Sequence, residues 1–333
     1  MKKIINSVEN IVEEMLQGLV KTYPDKLKRI TGFDVITRSD VPIKNKVALV
    51  SGGGSGHEPA HAGYVGKGML DAAVAGSVFT SPTPDQIYQA IKAVDAKKGV
   101  LLIIKNYTGD LLNFEMAQDM ARTEGIEVEA VVVNDDVAVE NSLYTAGRRG
   151  IAGTVFVHKI TGAKAELGAD LQEVKRVAQK VIDNTKSIGV ALSPCIVPAV
   201  QKPNFELKDD EIEIGIGIHG EPGTHKQKLA SANEIVEILI SKILENIEIK
   251  KDDQVAVMVN GMGATPEMEL YIINNHLNDL LTKKEIKIYK SFVGNFMTSI
   301  EMAGFSISLL KLDDELKQLL DQPSDTIALK TIN

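Results

Sequence analysis

A single cysteine, Cys195, stands among 333 residues, so no intrachain disulfide can form and a reducing, cytoplasmic setting is expected. A lone thiol after Pro194, with no motif around it, reads as packed core rather than as a nucleophile. Clustered basic residues are equally scarce. The 37 Lys and Arg stand against 45 Asp and Glu, and the net charge of -8 offers no footprint for nucleic acid or an anionic membrane. No run of 18 apolar residues occurs, and Asn6, Glu9, Glu13 and Glu14 interrupt any apolar core of a leader behind Met1-Lys2-Lys3. Neither membrane insertion nor secretion is expected. No Cys-x-x-Cys pair is present and no dedicated metal site is expected. No Gly-Lys-Ser or Gly-Lys-Thr follows a glycine run at the spacing of a Walker A loop.

What is present is the balance of a globular protein able to bury a full core: 44% hydrophobic and 25% charged residues. The length exceeds what one core usually organises, which suggests two domains. Val8, Ile11, Val12, Met15, Leu16 and Leu19 fall at helical spacing, so residues 7–22 read as an amphipathic helix capped by Asn6 or Ser7. Short apolar runs at 47–50, 100–104 and 128–133 read as buried strands with helices between them. One helix starts at Thr83-Pro84-Asp85-Gln86, where Thr83 can cap and Gln86 can close a capping box. A further helix over 164–184 precedes strands near 187–192, 211–218, 255–259, 286–293 and 305–310. The expected fold is therefore α/β, with two α/β domains, each a largely parallel or mixed sheet flanked by helices. Residues 1–185 form the first and 186–311 the second, with 312–333 open to packing back on the first.

In open α/β sheets ligands collect at the carboxyl ends of strands, and four segments there carry chemistry. They are Ser51-Gly-Gly-Gly-Ser-Gly-His57-Glu-Pro59, Lys105-Asn-Tyr-Thr-Gly-Asp110, His219-Gly-Glu-Pro-Gly223 and Asn260-Gly-Met-Gly263. Glycines in the first let the backbone approach a polyoxygenated ligand; a tight strand-to-helix turn would explain the glycines alone equally well, but His57 at the exit favours a ligand site. Asp110 has helix N-capping as its default use, yet with His57 it could take a proton from a substrate hydroxyl. Gly215-Ile-Gly-Ile-His-Gly220 matches the dinucleotide pattern G-x-G-x-x-G, but Pro222-Gly223 breaks the chain where the helix should begin. An oxidoreductase reading rests on that pattern alone. His61 is expected to pack behind the glycine-rich loop, and His158, His225 and His276 to be surface or structural residues. Arg148-Arg149 reads as the charged end of a helix rather than as an anion site.

Taken together with Ser142-Leu-Tyr-Thr-Ala-Gly-Arg-Arg-Gly150 and Gly263-Ala-Thr-Pro266, these segments resemble the K subunit of bacterial dihydroxyacetone kinase. The similarity runs from Met1 to Asp314 in the family's order. It implies that His219 attacks the ketone carbonyl and holds dihydroxyacetone as a hemiaminal. It also implies that His57 and Asp110 act as general bases on the hydroxyl that accepts phosphate, and that Gly54, Ser55, Gly56 and Lys105 bind substrate. A nucleophile that needs a carbonyl rejects glycerol, which a hydroxyl pocket alone separates poorly. No cofactor is expected in this chain. ADP and magnesium belong, by the resemblance, to a partner L subunit recharged by a phosphohistidine M subunit of the phosphoenolpyruvate-dependent phosphotransferase system. With no nucleotide-binding domain before Asn333, the chain is expected to be inactive alone and to form a homodimer. The competing expectation is a non-catalytic paralogue that senses dihydroxyacetone and co-activates transcription. Retention of His57 and Asp110 favours catalysis.

Overall fold

The computed structural model describes residues 2–140 and 145–332. Met1 and Ser142–Tyr144, which carry part of the family resemblance, lie outside the described residues. The chain divides into two compact units, residues 1–132, 156–180 and 318–333 in one and 133–155 and 181–317 in the other.

The first unit opens with α1 (Ile11–Thr22), which starts at Asn10 rather than at the expected Asn6 or Ser7, and Asn10 makes no side-chain cap bond. Strands β1 (Leu27–Arg29), β2 (Val35–Arg38), β3 (Ala48–Ser55) and β4 (Ala72–Val78) follow, then α2 (Pro84–Val94), β5 (Val100–Lys105), α3 (Thr108–Thr123) and β6 (Val128–Val133). They form one sheet in the order β1-β2-β4-β3-β5-β6. Central β3 runs parallel to β4 and β5, whereas β1, β2 and β4 pair antiparallel. Val50, Val74 and Leu102 on the sheet meet Ile87 and Ile91 of α2 and Phe114 of α3 in a closed apolar core. The capping box foreseen for α2 does not form. Thr83 makes no cap bond, and Gln86 accepts instead from the backbone N–H of Asp34 at 2.9 Å.

The helix expected over 164–184 is two, α4 (Thr154–Glu166) and α5 (Leu171–Asp183). Gly168 separates them in the left-handed region at φ +81°, the usual way to stop a helix. Residues 133–155 cluster with the second unit because Asp135 ties them there. Its carboxylate accepts the N–H groups of Ile151 and Gly153, both at 2.8 Å, while its carbonyl accepts from Ser187 at 2.8 Å.

The second unit continues with β7 (Thr185–Ser193), a small pair β8 (Ile196–Val197) and β9 (Lys202–Pro203), β10 (Glu211–Ile214), β11 (His225–Lys228) and α6 (Ala232–Leu244). Then come β12 (Gln254–Gly261), α7 (Glu267–Lys283), β13 (Lys287–Gly294), β14 (Ala303–Leu312) and the start of α8 (Asp314–Asp321); the end of α8 and the pair β15 (Ser324–Asp325) and β16 (Lys330–Thr331) belong to the first unit. The main sheet is ordered β11-β10-β7-β14-β12-β13. Only β12 and β13 are parallel; the other pairings are antiparallel, so this sheet is mixed. Val190, Val257 and Ile307 pack against Leu239 of α6 and Leu277 of α7.

Candidate active site

In the first unit three of the four glycines lie within β3 rather than in a loop after it, and Gly56 follows the strand. The strand runs on to Ser55, because Gly52, Gly53 and Gly54 continue the parallel ladder with Val74, Ala75 and Gly76. A side chain at Gly54 would press on the backbone of Phe79 and Thr80, and one at Gly53 would strike the Lys105 ammonium. Ser55 Oγ donates to the Gly76 carbonyl at 2.7 Å, and the Glu58 carboxylate accepts from Gly56 N–H at 3.0 Å. His57 is buried and stacks on Phe79, with ring centroids 5.1 Å apart.

Lys105, the last residue of β5, is 1% exposed, and its Nζ lies 3.5 Å from Asp110 Oδ2. The N-cap of α3 is Tyr107, so Asp110 is not a cap as its default use would have it. It sits in the first turn with its side chain turned into the protein, and its Oδ1 is buried without a hydrogen-bond partner. A buried carboxylate oxygen with an open acceptor position is poised to bond a ligand hydroxyl. His61 does lie behind this strand, with Nε2 3.2 Å from Lys105 Nζ, and His158 is buried beside it rather than at the surface.

Contrary to the expectation that no His-x-x-x-His pair exists, His57-Glu-Pro-Ala-His61 has that spacing. That spacing makes a metal site when a helix puts both rings on one face. Here the segment is turn, and the rings address Phe79 and Lys105 respectively. Among the described residues no group of three or more His, Cys, Asp or Glu is placed to hold a metal ion.

In the second unit His219 follows β10 on a tight turn. Its Nδ1 lies 2.8 Å from Glu221 Oε1, its backbone N–H donates to Glu221 Oε2 at 2.9 Å, and Asn204 Nδ2 donates to its carbonyl at 2.8 Å. Glu221 is 2% exposed. Burial pushes its carboxyl up, but the His219 ring and Arg149 outweigh that and bring it down to about 2. It is therefore an acceptor at every working pH. The proton of a neutral His219 ring then sits on Nδ1, which makes Nε2 the lone-pair nitrogen.

The dinucleotide-like pattern has a local explanation. A side chain at Gly217 would overlap the Glu221 carboxylate, and one at Gly220, with φ +83°, would overlap the Asn204 amide. The chain then enters β11, not a helix. Arg149 does not end a helix either. It is fully buried, with Nη2 2.7 Å from Asp136 Oδ2 and donating to the Gly215 carbonyl at 2.7 Å. Glu221, Asp136 and Ser51 act as supports that no motif marks; an acid two residues after a histidine is the one signal in the sequence for Glu221.

A family model described as Dak1 domain matches residues 17–328, and the chain belongs to that family. Within it, the chain falls among the DhaK subunits of phosphotransferase-system-dependent dihydroxyacetone kinases. It is 56% identical over 329 residues to the "PTS-dependent dihydroxyacetone kinase 1, dihydroxyacetone-binding subunit DhaK" of Listeria innocua, covering 98% of this chain and 100% of that one. Among solved structures, the dihydroxyacetone kinase of C. freundii superposes with a TM-score of 0.91 at 37% identity, over 99% of this chain and 60% of that one. The dihydroxyacetone kinase operon co-activator DhaQ gives a TM-score of 0.90 at 38% identity, over 96% and 99% of the two chains.

Proposed function

We propose that this chain binds dihydroxyacetone covalently through His219 and presents it for phosphorylation by a partner subunit, yielding dihydroxyacetone phosphate. The observation that carries the reading is the hold of Glu221 on His219 Nδ1, which leaves Nε2 as the nucleophilic atom. Nε2 attacks the ketone carbon, the carbonyl π electrons move to oxygen, and the ring becomes cationic beside the buried carboxylate. Transfer of a proton to the new alkoxide and loss of the Nδ1 proton leave a neutral hemiaminal.

The hydroxyl that accepts phosphate is assigned to Asp110 and His57 as general bases, and Asp110 Oδ1 offers the open acceptor such a step needs. Lys105, Gly54, Ser55 and Gly56 are assigned to binding the substrate oxygens. The phosphoryl donor is assigned to an L subunit carrying ADP and magnesium, recharged from phosphoenolpyruvate through a phosphohistidine M subunit. Homodimer formation and a cytoplasmic setting belong to the same proposal. No helix among the described residues is long and apolar enough to cross a membrane.

A second reading has one observation in its favour, the similarity to the DhaQ co-activator at 38% identity. A sensor needs the nucleophile but has no use for an open carboxylate at Asp110. The deciding experiment mixes the chain with dihydroxyacetone, then adds partner subunits and phosphoenolpyruvate. A mass adduct of intact substrate that disappears in His219→Ala supports covalent capture. Phosphorylation lost by about 10²-fold or more in Asp110→Asn, with the adduct retained, supports catalysis. Wild-type rates in both His57→Ala and Asp110→Asn would refute their assignment as bases, and a wild-type chain that forms the adduct but no product would leave only the sensor.

A further inference from the structure

Two imidazoles with no role in the proposed reaction, His61 and His158, line up behind Lys105. Its Nζ lies 3.3 Å from the Gly52 carbonyl, 3.2 Å from His61 Nε2 and 3.5 Å from Asp110 Oδ2. An ammonium has three donors and no acceptor, so His61 Nε2 must be the lone-pair nitrogen. The proton of a neutral ring then sits on Nδ1, which faces His158 Nε2 at 3.0 Å and Ser51 Oγ at 3.5 Å. Ser51 Oγ commits its own proton to the Ile103 carbonyl at 2.6 Å and can only accept from the ring. His158 Nε2 therefore accepts too, and the proton of that ring sits on Nδ1, a buried atom without a partner. Every proton along this line is set by the ammonium at its head.

The titratable groups acting on His61 are Lys105, His158 and His57; Lys105 acts on His158 as well, and the Tyr64 ring lies 6.0 Å from it. Burial first, then the Lys105 charge, keeps both imidazoles neutral well below the ordinary histidine range.

We propose that His61 and His158 are positioning residues for Lys105: the neutral pair accepts one ammonium proton and so aims the others at Gly52 and toward Asp110. The proposal rests on the assignment of Lys105 and Asp110 to substrate handling made above. It adds a reason for two buried imidazoles, one in the turn after β3 and one in α4, where apolar side chains would pack at lower cost.

Two measurements on the full chain test it. Imidazole nitrogen NMR between pH 8 and 5 should show His61 and His158 as neutral Nδ1–H tautomers throughout. An Nε2–H tautomer at His61, or titration of either ring in that range, overturns the proposal whether or not the chain takes part in phosphoryl transfer. The second measurement is turnover with partner subunits. His61→Gln keeps an acceptor for Lys105 and should stay near wild type. His61→Leu and His158→Phe should lose about ten-fold or more in kcat, the scale of one charged hydrogen bond, while still forming the His219 adduct. His61→Leu and His158→Phe both within two-fold of wild type would refute positioning. A wild-type chain that forms no product would refute the kinase reading instead, and the tautomers would still decide this one.

Discussion

Glu221 takes two hydrogen bonds from one residue: its Oε1 faces His219 Nδ1 at 2.8 Å, and its Oε2 accepts the His219 backbone N–H at 2.9 Å. A buried carboxylate thus fixes a ring whose side chain is 20% exposed. The contact sets the tautomer, the ring orientation and the charge that meets a developing imidazolium.

Replacing that charge without changing the shape should separate these roles. Glu221→Gln can still accept from Nδ1, but the bond changes from charge-assisted to neutral, a loss of about 1–2 kcal/mol. The expected outcome is roughly ten-fold weaker capture of dihydroxyacetone, read by intact mass across a substrate titration. Unchanged capture would show that the carboxylate charge is irrelevant to His219.

Gly53 offers a steric test in the first unit. A methyl group there would fall on the Lys105 ammonium and within 3.5 Å of Asp110 Oδ2. Gly53→Ala should displace the Lys105 ammonium and lower phosphorylation by about 10²-fold, the usual cost of a misplacement near 1 Å. Adduct formation on His219 should persist. Steady-state kinetics with partner subunits, beside a mass measurement, checks both.

Much of this was legible beforehand, and what was missed has physical causes. The strands at 100–104 and 128–133 announce themselves as apolar runs, whereas β4, Ala-Ala-Val-Ala-Gly-Ser-Val, is too poor in large side chains to read as a strand. Its small residues serve close packing: a side chain at Gly76 would meet the Thr80 carbonyl. His57, Asp110, Lys105 and His219 were marked by position at strand ends and by the family resemblance. The partners of those residues were not. Arg149 with Asp136, and His61 with His158, join residues 13 and 97 positions apart, and no local pattern encodes such pairs. The passage of residues 133–155 into the second unit likewise depends on Asp135 bonding across the chain.

The buried imidazoles predict how stability responds to acid. Burial and the Lys105 charge lower His158 to about 3 and His61 well below its ordinary value. Unfolding releases both to the usual range near 6.5, so below that pH the unfolded chain binds more protons than the folded one. Stability should therefore be level above about pH 7 and fall as pH drops, by up to about 1.4 kcal/mol per unit for each ring. Urea titrations at several pH values between 8 and 4.5 measure the slope. His158→Phe should lessen it relative to the parent, because Phe does not titrate, and parent and variant slopes that coincide would contradict the assignment.

Arg149 and Asp136 form a fully buried pair in the second unit, and Arg149 also donates to the Gly215 carbonyl before the His219 segment. Burial is the larger influence on Asp136 and raises it to about 6, even with the Arg149 charge opposing that rise. Arg149→Met removes the opposing charge and leaves a buried carboxylate alone, a change that typically costs about 3–5 kcal/mol. The acid of the variant must rise further still. Its folded state then binds a proton that the unfolded chain, with an ordinary carboxyl, releases above about pH 4. Stability of the variant should accordingly fall as pH rises, so its deficit against the parent is largest at neutral pH and smaller near pH 5. Thermal or urea unfolding at both pH values checks this. A deficit independent of pH would mean that Arg149 acts through the carbonyls it binds and not through Asp136.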